Sequence, residues 1–392
     1  INLPLNIDQN QLEFCSDFLS YDKGFYSGPI FPFLLYLNQF FENNLIIKII
    51  FFIFYLIFIY LSYKTSILKI KKQKLIKLFL LIISPSLIWL SLSPSTDLLN
   101  GVFWLSSVIC FKKYIFMVKR ELESRSNSNN SIYFLFPFTI FLLLCILTRP
   151  STTLILSTIT AWIIFDVIYC IKTAKYRTYK ISSIIINTSL FFLIIKLTTI
   201  LYAGYGTTIY KYLIYFHSFE PPSPLGLQEA TNIGLEKLMS SYNNIFTNPL
   251  IFIVSLYKLI MLGITNVIFG LLSLSGIQIS KIIDYQNYPD FKDIGGIFKS
   301  IYGLLFILPG IMSIVFSSLN NFPSKFLYKI HNFKNININV ITSKYYEVSL
   351  TIIVIIHILI SLGLIPHIRY LTPILPFILS FYISHNYKKL IN

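Results

Sequence analysis

The sequence predicts an all-α polytopic membrane protein, and three observations carry that prediction. Of 392 residues, 55% are hydrophobic and only 12% are charged. A soluble domain of that size has too little interior to hide so much apolar surface, so the solvent must be a bilayer. The apolar residues also fall in runs long enough to cross one as helices, about 20 residues with about 17 as a practical minimum. Finally, the basic residues stand in short clusters between the runs, as the positive-inside rule requires. The net charge of +16 therefore carries no nucleic-acid reading, and no nucleic-acid partner is expected.

Taken in order, runs near that length lie at about 45–63, 77–92, 98–116, 132–147, 151–171, 181–202, 299–319, 347–365 and 369–385, about nine full crossings in all. Two further apolar stretches are treated differently. The stretch 29–42 is short and opens Gly-Pro-Ile-Phe-Pro, while 247–272 is long but interrupted by Lys258 and Gly263. Both are expected as re-entrant or surface-lying helices. Irregular backbone at membrane depth survives only where protein or a water-filled cavity surrounds it, so a cavity is expected beside 247–272. The chain reads as one transmembrane domain, 1–392, with 1–28 as a first outer loop and 203–298 as a large outer loop.

Charge fixes the threading. With 45–63 running from outside to inside, the segments 64–77, 112–131, 172–180, 320–346 and the C-terminal tail face inward, and they hold 21 of the 32 Lys and Arg. The outer segments hold seven. A full crossing by 247–272 would reverse the later loops and put Lys388 and Lys389 outside. The C-terminus is therefore expected in the cytoplasm, and the chain in a bacterial inner membrane.

This threading gathers an unusual set of groups on the outer face. The opening segment carries Asp8, Glu13, Asp17 and Asp22, a quarter of the 16 acidic residues. The turn "SLSPSTDLL" brings Asp97 and "LTRPST" brings Arg149. The loop 203–246 adds Tyr205, His217 and Glu220, and 273–298 adds Asp284, Asp290 and Asp293. Close to the C-terminus, "PHIRYLTPILP" contributes His367, Arg369 and Tyr370. Ionisable groups at membrane depth are costly and usually functional. Carboxylates and arginines on one side, with lysine clusters on the other, suit an extracytoplasmic site that acts on a charged molecule delivered from the membrane.

Each piece also has a plainer reading. Asp97 suits the first turn of the helix that begins at 98, and Arg149 could snorkel to headgroups. His357 reads as a packing residue, Asp166 as reaching the inner interface, and the aspartates of 273–298 as a solvated loop. The tract "SRSNSNNS" (124–131) reads as a flexible inner loop. Cys15, Cys110, Cys145 and Cys170 have no metal-ligand spacing, and inert packing is expected of them.

The order of four short motifs, "GFYSGPIFP" (24–32), "SPSTDLL" (93–99), "TRP" (148–150) and "RYLTPILP" (369–376), resembles the GT-C superfamily of membrane glycosyltransferases. Within it, the likeness is to the bacterial branch related to protein O-mannosyltransferases and the aminoarabinose transferase of lipid A. The resemblance implies a GT-C-like helical bundle and an inverting transfer of a sugar from a polyprenyl-phosphate donor to an extracytoplasmic glycan, lipid or protein. In that family an Asp of the first outer loop is the general base. Counting back from Gly24, the matching position is Asp8, with Asp17 and Asp22 fitting less well. A helix precedes that Asp in the family, and only "INLPLNI" stands before Asp8 here, so the first helix of the fold is expected to be missing. The resemblance leaves room for a divalent metal, since some members use one and others do not.

The chemistry makes the same residues intelligible. Sugar transfer needs a base to take the acceptor hydroxyl's proton, and it needs cations where charge grows on the leaving phosphate. Asp8 serves as base, and Arg369 and Arg149 bind the phosphate through a forked set of donors. Asp97 orients them or holds a metal. Asp17 is the further catalytic candidate, and Tyr370, His367 and His217 are candidates for holding substrate. The polyprenyl tail would lie between helices near 29–42 and 247–272. Other classes stay open: a GPI-type mannosyltransferase of the endoplasmic reticulum, an O-antigen polymerase or ligase, and a lipid-linked-oligosaccharide flippase. The GPI reading is weakened by Leu105, which stands where that enzyme has Glu. The flippase reading is weakened by the lack of any repeat between 45–202 and 247–385.

Overall fold

A computed structural model describes residues 30, 34, 44–92, 96–124, 130–149, 151–172, 177–201, 301–321, 338–364 and 368–391. Among them every regular element is helical and there is no strand. Ten α-helices follow in order: α1 (Asn44–Thr65), α2 (Lys71–Ile82), α3 (Pro85–Leu92), α4 (Thr96–Ser124), α5 (Leu135–Thr148), α6 (Thr152–Lys172), α7 (Arg177–Leu201), α8 (Leu308–Asn321), α9 (Ile338–Leu364) and α10 (Leu375–Ile391). Short 3-10 runs at Asn130–Phe134 and Ile368–Ile374 lead into α5 and α10, and a π-helical turn at Gly303–Ile307 leads into α8. Five of these segments are long and apolar enough to cross a membrane: Ile46–Thr65, Thr96–Glu121, Ser131–Thr148, Thr152–Cys170 and Lys180–Thr198. Apart from residues 30 and 34, the expected stretch 29–42 lies outside the described residues, as do 247–272 and both outer loops.

The composition of α1 explains why lipid dictates helix here. Its "IIKIIFFIFYLIFIY" is rich in β-branched and aromatic residues, which favour strands in water. Without water to bond the backbone, each amide must find a partner within its own segment, and the helix supplies it. Many of its large side chains face outward, among them Phe52, Leu56 and Tyr60, each about half exposed. Phe51 and Phe58 are completely buried on the opposite face. Burial singles out α4 as the central helix: 61% of its spanning window is buried, against 28% for α1 and α7. It packs on α1, α5, α9 and the 3-10 run Ile368–Ile374. Trp104 ties it to α6 by an indole N–H donated to Thr158 Oγ1 at 3.0 Å, and its ring meets Phe377 of α10 edge-on at 5.7 Å.

One expected crossing is corrected. The run 77–92 is not a single helix but the two pieces α2 and α3, broken at Ile83–Ser84. Pro85 is the cause. It disfavours helical backbone at Ser84 and cannot donate an amide, yet it suits the first position of the next helix. Such a break leaves four carbonyls at the end of α2 without intrahelical partners. All four are met: Phe79 by the Ile83 amide at 3.1 Å, Leu81 by the Ser84 amide at 3.2 Å, Leu80 by Tyr302 Oη at 2.7 Å and Ile82 by Tyr55 Oη at 3.2 Å. Two tyrosines from other helices thus do what water would do outside a membrane.

Other boundaries move outward. The helix expected at 98–116 runs on to Ser124, which makes most of the supposed loop 112–131 helical, and the one expected at 347–365 starts at Ile338. Both extensions carry lysine or glutamate beyond the apolar stretch, so hydropathy alone ends them early.

Candidate active site at one end of the bundle

The first turn of α4 and the break between α5 and α6 meet at one end of the bundle. Pro150 follows Arg149, and a residue before proline is pushed out of helical backbone. Arg149 accordingly has φ −160° and ψ 151° and ends α5, its amide still bonded to Cys145 O at 3.1 Å. The chain turns back at Ser151, whose amide donates to Arg149 O at 2.7 Å. From this corner the Arg149 guanidinium forms an ion pair with the Asp97 carboxylate, with side-chain exposures of 15% and 7%. The pair therefore sits in a partly dried setting, where opposite charges attract far more strongly than in water. Arg149 does not simply snorkel to headgroups; it is held by a specific carboxylate.

Polar groups continue around the pair. Asn100, one turn along α4, donates its amide to Ser151 Oγ at 2.6 Å and accepts from the Cys145 thiol. Thr152 and Thr198 share a hydrogen bond of 3.1 Å between α6 and α7. The 3-10 run Ile368–Ile374, on which Arg369 and Tyr370 lie, reaches the same end. A Cβ placed on Gly101 would stand 3.6 Å from the Cα of Pro373, so that run packs one turn from Asp97. Asp97, Arg149 and the backbone of residue 369 thus belong to elements that meet at one end. Asp8, Asp17, His217 and His367 lie outside the described residues. Among the described residues, no group of three or more His, Cys, Asp or Glu converges to hold a metal ion.

At the far end, a second polar cluster lies inside the bundle. Asp166 is completely buried and accepts hydrogen bonds from Tyr114 Oη and, at 2.7 Å, from Ser183 Oγ. The expectation that Asp166 reaches the inner interface is corrected: it points between α4, α6 and α7. Lys180 Nζ donates to Tyr114 Oη at 2.6 Å and lies 4.2 Å from the centre of that ring. The carboxylates whose charges reach Lys180 are Asp166 and Glu121. Glu121 in turn accepts from the Ser131 amide at 2.8 Å and the Ser131 hydroxyl at 3.0 Å. Trp162 closes the cluster, stacked on Tyr114 at 4.2 Å with its indole N–H donated to Ser183 Oγ at 3.2 Å. Buried charges persist when they are hydrogen-bonded and compensated; here each is hydrogen-bonded, and Asp166 and Glu121 lie within electrostatic reach of Lys180.

A signal for this cluster exists in the sequence. Lys180, Ser183 and Asn187 recur at helical spacing in an otherwise apolar run, and Trp162, Asp166 and Tyr169 do so on the preceding one. Such stripes mark the faces of two apolar helices that turn inward.

The described residues define an all-helical protein of the membrane-spanning type, with a charged pair at one end of its bundle and a buried polar network near the other. No family model, no curated protein and no solved structure matches the chain.

Proposed function

We propose that this chain is an inverting glycosyltransferase that moves a sugar from a polyprenyl-phosphate donor to an extracytoplasmic acceptor. The observation that carries the reading is the Asp97–Arg149 pair, set at the same end as the run bearing Arg369. An arginine locked by a carboxylate is a preorganised donor for phosphate oxygens, and a partly dried site strengthens that contact.

In the proposed reaction, the acceptor hydroxyl oxygen attacks the anomeric carbon from the face opposite the phosphate. The bond between that carbon and the phosphate oxygen breaks, and polyprenyl phosphate leaves with the electron pair. Asp8 takes the hydroxyl proton, and Arg369 and Arg149 meet the charge that grows on the phosphate. Asp97 acts as a positioning residue that holds the Arg149 fork. Asp17, His217, His367 and Tyr370 complete the candidate substrate contacts. The lysine bias supports a C-terminus in the cytoplasm, and the membrane of this reading is the bacterial inner membrane.

The test is donor turnover in membranes from cells that express the chain, with a radiolabelled polyprenyl-phosphate monosaccharide. Wild type is expected to release polyprenyl phosphate, and Asp8→Asn to slow release by roughly 10²–10⁴-fold, the usual weight of general-base assistance. Full activity in Asp8→Asn contradicts the assignment of the base. A requirement for a diphosphate-linked oligosaccharide points instead to a polymerase.

A further inference from the structure

Helix α2 is turned inside out. Its exposed face carries Leu75, Ile76, Phe79 and Ile82, while Gln73 and Lys77 are buried with Leu80 and Leu81. Apolar side chains outside and a lysine inside suit a helix bathed in acyl chains. The Lys77 ammonium is completely buried and donates to a neutral acceptor, Ser62 O, at 2.5 Å. Lysine is almost never fully buried without a charged partner. Among the described residues, the charged neighbours that act on Lys77 are two more lysines, Lys112 and Lys74.

Those two lie near Lys77 at the corner between α1 and α2. Lys112 Nζ donates to Lys64 O at 2.9 Å and Ser66 O at 3.4 Å, and it lies 5.4 Å from the centre of the Tyr346 ring. Lys74 lies 5.6 Å from the Tyr63 ring. Both are half-buried, and Glu347 is the carboxylate within reach of Lys112. The corner stands at interface height, because the spanning part of α1 ends at Thr65.

We propose that the α1–α2 corner is a binding site for the headgroup of an anionic phospholipid. The phosphate sits between Lys74 and Lys112, near the buried Lys77, and an acyl chain lies along Leu75 and Phe79. Lysines that serve only to orient the chain would stay solvated, as Lys71 and Lys72 do on the first turn of α2. Here a lysine has been drawn inside against a carbonyl, and, among the described residues, the charged groups that act on it are two further lysines, Lys112 held by carbonyls and a ring and Lys74 by a ring. The charge complement is a phosphate, and the apolar flank selects one that carries lipid.

The experiment measures the thermal unfolding midpoint of the purified protein in nanodiscs of phosphatidylcholine, with or without phosphatidylglycerol of the same acyl chains. Inorganic phosphate is added to phosphatidylcholine discs as a third arm. Phosphatidylglycerol is expected to raise the midpoint and phosphate to leave it unchanged. Lipid titration of Lys74→Gln and Lys112→Gln should each show affinity for phosphatidylglycerol reduced about fivefold, the weight of one basic residue at a charged membrane surface. The control Lys71→Gln/Lys72→Gln should keep the wild-type affinity. Lys77→Met should raise the midpoint in phosphatidylcholine and shrink the gain from phosphatidylglycerol. Equal midpoints in the two lipids overturn the proposal, as does an equal loss of affinity in the Lys71/Lys72 control. Stabilisation by inorganic phosphate as large as that by lipid overturns the lipid assignment.

Discussion

Asp97 and Arg149 meet through two local rules, acting 52 residues apart. The aspartate opens a helix, where its charge is favoured, and the arginine is turned out of one by the proline that follows. Each rule is legible in the sequence, since "STDLL" and "TRP" both mark helix boundaries. Their meeting is not, because it depends on how α4 packs against α5. The pair's worth is testable. Asp97→Asn should lower stability by about 2–3 kcal/mol, below the usual loss for a fully buried pair because both side chains keep some exposure. The double variant Asp97→Asn/Arg149→Met should recover part of that loss, and a denaturation cycle in detergent measures both. Arg149→Lys keeps the charge but loses the fork, so donor turnover should fall about tenfold with little change in stability. The buried cluster makes a larger prediction. Asp166→Asn removes the carboxylate that acts most strongly on Lys180 and should destabilise by about 3–5 kcal/mol. Its companion Asp166→Asn/Lys180→Met should do less harm than the single change.

At the scale of elements, hydropathy located most of the described helices but misread their ends and one interior. It ended two helices early where charged residues ride on beyond the lipid, and it joined α2 to α3 across Pro85. The proline was in plain view. What the sequence could not reveal is that Tyr55 and Tyr302, far apart in the chain, satisfy the carbonyls that the break frees. Close helix packing adds another element-level constraint. A Cβ on Gly310 of α8 would stand 2.8 Å from the carbonyl oxygen of Ile378 in α10, and backbone cannot step aside. On Gly101 it would meet the Phe58 ring at 2.8 Å, and a ring can tilt. Gly310→Ala should therefore cost about 1–3 kcal/mol, the usual range for overpacking. Gly101→Ala should cost less, as thermal unfolding of the two variants would register.

At the scale of the whole molecule, the ends of the bundle differ in chemistry. The end with Asp97 and Arg149 also receives the run carrying Arg369. The other end holds Lys64, Lys112 and Lys180. The charge bias in the sequence already divided the chain this way, because helices that alternate in direction return every second loop to the same side. The buried Asp166 cluster escaped that logic, since a loop count sees only what lies between helices. The proposed activity rests on Asp8 and Arg369 opening to one aqueous compartment, opposite the basic loops. Impermeant thiol labelling tests this directly, with Asp8→Cys, Arg369→Cys and Ser126→Cys placed singly in a chain whose own four cysteines are replaced. Positions 8 and 369 should react in intact cells, and position 126 only after the membrane is opened. Labelling of 8 and 369 from opposite sides would contradict the account.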